Sequence, residues 1–361
     1  EVFQSHGYRT LAAGSARHLT PARSGLGQGF DRFDGPKSFL TRDGAPTVER
    51  AQAMLDDAKG QPVFLWLHLF DVHAPYRPHD VLVELYYEGD PYDQKFAELP
   101  PEVRAKWDKK IRDAAYIRAM YKTEVTYVDG LLKDFHGANP RIEEGVLAFT
   151  SDHGESHGEV GEYWNHHALT PFPLHVPLFL AGAGVPPGVV ADERVSNVNV
   201  GTTLLELAVG ESGEFPGMSI ASEKGRSRLN AEPRYFLAPS GVAAGIELHP
   251  WYLVLRLERV GWSQPPGAPR HGVELYDLRT ADDSYVNVAA DHPGVAGQLR
   301  AALVAWLTAG PKNGGLAGDS PGVGASADIR DLGYAADAKS SIDSALMDPS
   351  CGCAQCRKWR Q

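Results

Sequence analysis

Apolar residues along this chain fall into short continuous runs separated by stretches of helical spacing. Residues 62–69 (PVFLWLHL) follow Gly60. A run of that length and composition predicts a strand buried on both faces, as in a parallel sheet. Residues 145–150 (GVLAFT) and 176–181 (VPLFLA) predict two more such strands, the second closed by Gly182 and Gly184. Between about residues 100 and 136, Ile111, Ala115, Ile117, Met120, Tyr121, Val125, Val128, Leu131 and Leu132 recur at helical intervals, until Gly137 and Pro140 stop the pattern. Thr202 to Val209 predicts a shorter helix. Strand–helix–strand alternation implies a layered α/β sheet.

The pattern changes near Pro216-Gly217. Tyr235–Leu237, Trp251–Leu257 and Glu274–Leu278 are strand-like runs between Pro- and Gly-rich turns, and Val295–Leu307 is helical. This predicts a small antiparallel sheet with a helix. The expected organisation is an α/β core over 1–218, mixed or parallel in its sheet and flanked by helices. A smaller antiparallel α+β subdomain follows over 219–310, then a Gly-, Ala-, Ser- and Asp-rich flexible tail over 311–361.

Hydrophobic residues make up 43 % and charged residues 22 %, which excludes a disordered or fibrous chain. The net charge of −11 argues against nucleic acid or an anionic membrane surface as partner. It leaves room for an anionic substrate, because a bound cation reverses the local sign. No apolar run approaches the ~20 residues of a membrane helix. All three cysteines (Cys351, Cys353, Cys356) lie in the last eleven residues. The Cys-x-Cys-x-x-Cys spacing could serve a metal or redox chemistry. The plainer alternative is a mobile tail with incidental thiols, since three ligands without a nearby His are an incomplete zinc set.

Three clusters could carry chemistry. Ser151-Asp152-His153-Gly154-Glu155 directly follows the strand GVLAFT, and ligands of open α/β sheets bind beyond the carboxyl ends of strands. Asp152 and His153 can together hold a divalent cation, or Asp152 can simply cap a turn. His73-Ala74-Pro75-Tyr76 follows the strand ending near Phe70; a His on such a loop suits a general acid, or packs on Tyr76. Asp71 can orient His73 or bind backbone. His166-His167 form the third cluster. Adjacent side chains of an extended segment point to opposite faces, so one of the two is expected to act. Three His-bearing turns at three strand ends would converge on one sheet edge. Trp66, Trp251 and Trp306 are expected to pack, and His18, His79, His175 and His271 receive no role.

The motifs also occur in a recognisable order. Gly7-Tyr8-Arg9-Thr10 is followed by Gly25 to Asp31, the strand before His73-Ala74-Pro75-Tyr76, and the helix with Tyr121, Glu124 and Asp129. Then come Thr150 to Glu155, His166-His167, Val176-Pro177-Leu178, Val198 to Leu205, Pro216 to Ser219, and Glu274 to Leu278 ahead of Asn287. This set resembles the sulfatase branch of the alkaline phosphatase superfamily. The resemblance implies a metal-dependent sulfuric ester hydrolase with a divalent cation, usually calcium, and a formylglycine nucleophile made from Cys or Ser. It implies that Asp152 and His153 ligate the cation, that His73 protonates the leaving oxygen, and that His166 or His167 lies by the sulfate. The partner would be a small-molecule or carbohydrate sulfate ester, and a periplasmic or extracellular location is favoured by resemblance alone. Alternatives on the same scaffold are a phosphodiesterase, phosphonate hydrolase or phosphotransferase, or a non-catalytic domain.

The family's Cys/Ser-x-Pro-x-Arg motif occurs nowhere in the 361 residues. It is expected upstream of Glu1, together with the first metal-binding Asp pair and the strands that carry them. Ser15 stands where many members have Lys, Asn199 where Asp is usual, and Thr170-Pro171-Phe172 departs from the common pattern.

Overall fold

A computed structural model describes residues 1–37, 40–77, 80–100, 103, 106–159, 163–166, 169–211, 215, 217–229, 231–238, 243–257, 271–280, 286–309 and 351–359. The chain divides into two compact units, Glu1–Leu147 with Ala208–Gly213, and Ala148–Leu207 with Glu214–Gln361. No helix among the described residues is long and apolar enough to cross a membrane.

The first unit is built on a parallel sheet of order β2-β1-β3, formed by β1 (Arg9–Gly14), β2 (Arg32–Asp34) and β3 (Val63–His68). Gly7 takes φ +80°, a conformation that costs glycine little, and turns the chain into β1. Ala12 and Ala13 are fully buried, and their small side chains let neighbouring elements approach closely. Helix α1 (Gly44–Asp57) and helix α2 (Ala114–Ala138) supply Ala51, Met54 and Phe135 to a cluster with Leu11, Ala13, Val63, Leu65 and Leu67. Asp113 caps α2 by accepting the Ala115 N–H, which fixes the start of that helix about fourteen residues later than the hydrophobic spacing alone suggests.

Strand β3 alternates two kinds of face. Val63, Leu65 and Leu67 join the aliphatic cluster, whereas Phe64, Trp66 and His68 form an aromatic face. Phe30 stacks on Phe64 and on Trp66 with centroids 6.1 and 6.2 Å apart. Trp66 thus packs within the fold, as expected. The strand is half-buried along its length, not enclosed on both sides, because it stands at the edge of the described sheet.

Asp31 ties β2 to β1. Its carboxylate accepts the Thr10 N–H at 2.8 Å, the Thr10 hydroxyl at 3.1 Å and the Gln4 amide at 2.9 Å. The Thr10 backbone donor, with help from Gln4, holds this carboxyl below its ordinary value. A depressed folded-state pKa stabilises the fold above the unfolded carboxyl value of about 3.9 and is lost as pH falls through the folded value. Asp31→Ala should therefore lower unfolding stability at neutral pH, and by less at about pH 3. Urea unfolding at the two pH values checks this, and an equal loss at both would contradict it.

In the second unit, β4 (Val146–Thr150) and β7 (Leu178–Gly182) pair, and β5 (Ser156–His157) pairs with β6 (Tyr163–Asn165) in a bulged antiparallel ribbon. Phe149 and Phe179 lie 5.9 Å apart and are 38 % and 64 % exposed, so the runs read as fully buried strands are not enclosed here. Helix α3 (Val198–Val209) starts four residues before the expected Thr202. Asn199 explains this: its side chain accepts the Ser196 N–H and donates to the Met218 carbonyl, organising the helix entry.

The antiparallel sheet has order β11-β10-β9-β8, with β8 (Arg234–Leu237), β9 (Ala243–Leu248), β10 (Trp251–Arg256) and β11 (Val273–Asp277). The Ala- and Gly-containing β9 was not expected from its sequence; it is held between β8 and β10. Gly245 lets the Tyr252 hydroxyl lie beside the strand, since a Cβ there would come within 2.9 Å of it. That hydroxyl donates to the Leu169 carbonyl at 2.8 Å. Helix α4 (Pro293–Ala309) places Ala296, Leu299 and Leu303 on the other face against Ile246, Leu253, Leu255 and Leu275. Trp306 stacks on Tyr235 at 4.8 Å, and Trp251 lies against His292 at 4.8 Å, both packing roles. Asp277 grips Arg279 at the end of β11, and that guanidinium draws the carboxyl down to about 2.

Of the segment read as a tail, residues 311–350 lie outside the described residues. Cys351–Trp359 contains a short helix α5 (Ala354–Lys358), and Cys356 is buried in the cluster formed by the sheet and α4.

Candidate functional site

At the carboxyl end of β4 the chain turns sharply through Ser151 to Glu155. Gly154 makes the turn possible: its N–H donates to the Pro173 carbonyl at 2.7 Å, and a Cβ there would meet the Phe172 carbonyl oxygen at 2.6 Å. Asn197 braces the turn from outside by donating to the Ser151 carbonyl at 2.7 Å while accepting the Thr150 hydroxyl at 2.9 Å. The Asp152 carboxylate accepts the His153 N–H at 3.0 Å, and its other oxygen lies 3.8 Å from His153 Nε2. His153 Nδ1 lies 2.9 Å from the Gly154 carbonyl oxygen. A carbonyl only accepts, so Nδ1 carries the proton and the neutral ring presents a lone pair at Nε2.

His166 stacks on His153, with centroids 3.9 Å apart and planes 17° apart. Its Nδ1 donates to Glu155 at 3.2 Å, and the two side chains are 7 % and 5 % exposed. Glu155 therefore fixes this imidazole in the same tautomer as His153, with Nε2 presented. The donor set Asp152 and His153 fits a divalent cation. An exposed carboxylate and an oriented imidazole stand close enough to share one ion, and the ring's other nitrogen is held by a carbonyl, as is usual for ligating histidines. His167 lies outside the described residues.

His73 belongs to the first unit. Its ring stacks on Phe70 at 4.3 Å, and Nδ1 donates to the Ala74 carbonyl at 2.6 Å, which again leaves Nε2 as the exchanging position. The Ala74-Pro75 peptide is cis, and Tyr76 is buried edge-on against Tyr121 of α2. Buried Glu124 of α2 accepts the Arg77 N–H at 2.7 Å, anchoring the end of the loop. Asp71 has a backbone role: it accepts the Gly44 N–H at 2.8 Å at the first turn of α1. An open cleft of about 940 Å³ in this unit is lined by Lys37, Arg42, Arg50 and Arg77 with Asp34 and Asp43.

Sequence reasoning missed Glu155 and Asn197 as working residues. Glu155 had a signal, an acid three positions after Asp152 in a loop already containing His153. Asn197 had none, because it reaches the turn across 46 residues. Ser15 is fully buried and hydrogen-bonded to Thr47 at 2.9 Å, so it braces α1.

Solved structures share this fold. The complex of BT4656 with D-glucosamine-2-N,6-O-disulfate matches with TM-score 0.58 at 15 % identity, covering 84 % of this chain and 80 % of that one. The phosphonate monoester hydrolase of Agrobacterium radiobacter matches with TM-score 0.53 at 16 % identity, covering 84 % and 78 %. Among curated proteins, the low-salt glycan biosynthesis sulfotransferase Agl7 of Haloferax volcanii is 28 % identical over 53 % of this chain and 45 % of its own length. Arylsulfatase K of Danio rerio is 28 % identical over 51 % of this chain and 36 % of its own. The matched region thus spans less than half of either curated relative. The Sulfatase family model matches residues 1–211, and the chain belongs to the sulfatase family, which implies an alkaline phosphatase-like α/β fold and a divalent cation.

Proposed function

We propose that this chain belongs to a metal-dependent hydrolase of sulfate esters, with sulfated carbohydrate as the substrate class. The observation that carries the reading is the turn after β4, where Asp152 and an oriented His153 stand together and Glu155 fixes His166. Asp152 and His153 hold the cation, which the family resemblance implies is calcium. When bound, the cation neutralises charge on the sulfuryl oxygens. His166 offers Nε2 toward the anionic group, its charged form stabilised by the Glu155 carboxylate. His73, its Nδ1 proton held by Ala74, delivers a proton from Nε2 to the leaving oxygen, which a poor alkoxide leaving group requires. The resemblance implies a formylglycine nucleophile in a Cys/Ser-x-Pro-x-Arg motif, and these 361 residues do not contain that motif.

The test uses the full chain. Titration calorimetry should record calcium binding and calcium-dependent binding of glucosamine 6-sulfate, without turnover of 4-nitrophenyl sulfate. Turnover by this polypeptide would overturn the assignment of the nucleophile, and binding indifferent to calcium would overturn the site. The likeness to a phosphonate monoester hydrolase supports a second reading on the same fold. Calcium-dependent binding of a phenylphosphonate monoester in clear preference to the sulfate would favour it.

A further inference from the structure

The three cysteines near the end of the chain do not lie apart. Nδ1 of His271 is 3.5 Å from Cys351 Sγ, 3.4 Å from Cys353 Sγ and 3.3 Å from Cys356 Sγ, and all four ligand atoms lie within 4.8 Å of one another. We propose that His271, Cys351, Cys353 and Cys356 form a closed, structural zinc site that fastens the C-terminal segment to the antiparallel sheet.

The geometry argues for a shared ion. One imidazole nitrogen can make one good hydrogen bond, yet three sulfurs stand around it at nearly equal distances. A tetrahedral ion with bonds of about 2.3 Å to sulfur and about 2.0–2.1 Å to nitrogen separates those atoms by about 3.6 Å, close to what is seen. A disulfide would engage two of the thiols and give the convergence of the third with His271 no purpose.

Burial pushes the Cys356 thiol up to about 11 in the absence of a cation, while donors face two of the sulfurs. The Cys356 N–H points at Cys353 Sγ at 3.4 Å, and Arg300 of α4 donates to Cys356 Sγ at 3.3 Å. Three thiolates and one neutral imidazole around Zn²⁺ carry a net charge of −1, which the Arg300 guanidinium offsets in a buried setting. His271 is itself held rigidly. Its N–H donates to the Arg256 carbonyl at 2.7 Å, and the Arg256 N–H donates to Gly272 at 3.0 Å, extending the β10–β11 ladder. All four positions are filled by protein, so no site remains for a substrate or water. Binding one Zn²⁺ to three thiols and neutral His271 releases three protons and involves no oxidant or reductant.

The full chain, expressed with zinc, should purify with about one zinc ion, released on titrating the thiols with a mercurial. Cobalt exchange should give an intense thiolate-to-metal charge-transfer band, and chelation should lower the Tm. Cys351→Ser, at a half-exposed position, should weaken zinc retention at least about tenfold, whereas Asp152→Asn should retain the full complement. A metal-free reduced chain, a Cys–Cys disulfide, an iron–sulfur chromophore, or zinc lost with Asp152 and kept without Cys351 would each overturn the proposal. Because Cys356 packs in the core, its replacement removes contacts as well as a ligand; the cobalt spectrum of the unmodified chain reads the site without that complication.

Discussion

Asp152→Asn is expected to weaken calcium binding to the full chain by about 100-fold or more, since even residues that only support a ligand are worth about 10–100-fold in metal affinity. The substitution preserves the turn. Asn can still accept the His153 N–H now received by Asp152 at 3.0 Å, so the loss would report charge and ligation, not misfolding. Titration calorimetry with calcium checks it, and calcium is the right probe because hard cations ignore the cysteine cluster. An affinity within threefold of the unmodified chain would remove Asp152 from the cation site. Gly154→Ala should act in the same direction through geometry alone. Its Cβ would press on the Phe172 backbone at 2.6 Å, and the loop carrying Asp152 and His153 would have to shift.

Glu155→Ala carries the second large expectation, a loss of about 2–3 kcal/mol in unfolding free energy, the penalty for stranding a buried donor. Both side chains of the pair are almost wholly buried, so solvent cannot replace the carboxylate that His166 Nδ1 addresses at 3.2 Å. Glu155→Gln separates shape from charge. Its amide oxygen can accept the same proton, so stability should largely return, while the imidazole loses the counter-charge that favours its protonated form. Urea unfolding of the three proteins measures the first effect. Sulfate-ester binding at neutral pH measures the second, with the Gln variant binding more weakly than the unmodified chain. Equal stability for Glu155→Ala and the unmodified protein would show that the pair is dispensable.

Much of the fold could be read along the chain because short apolar runs mark where strands form, although the degree of burial read from them was too high. Val63–His68, Val146–Thr150, Leu178–Gly182 and the helix Pro293–Ala309 fall where hydrophobic spacing puts them, whereas the helix Ala114–Ala138 ends as expected but starts later. Strand β9 escaped because Ala243, Ala244 and Gly245 carry little β preference of their own; the strands on either side hold it in the sheet. The local half of the candidate site, Asp152 with His153, was readable for the same reason as the strands: ligand and turn are neighbours in sequence. The pairing of Glu155 with His166, and the brace from Asn197, arise from side chains brought together across 11 and 46 residues.

The cysteine cluster divides most sharply between the two sources. Composition and spacing by themselves determined that three thiols stand in a Cys-x-Cys-x-x-Cys arrangement, too few to close a zinc shell. The fourth donor, His271, lies 80 residues before Cys351 and was assigned no role from the sequence. The tertiary structure alone supplied it, because the β10–β11 ladder and α4 build a buried corner on which the end of the chain folds back. A coordination shell depends on distances between side-chain atoms, and separation along the chain does not set those distances.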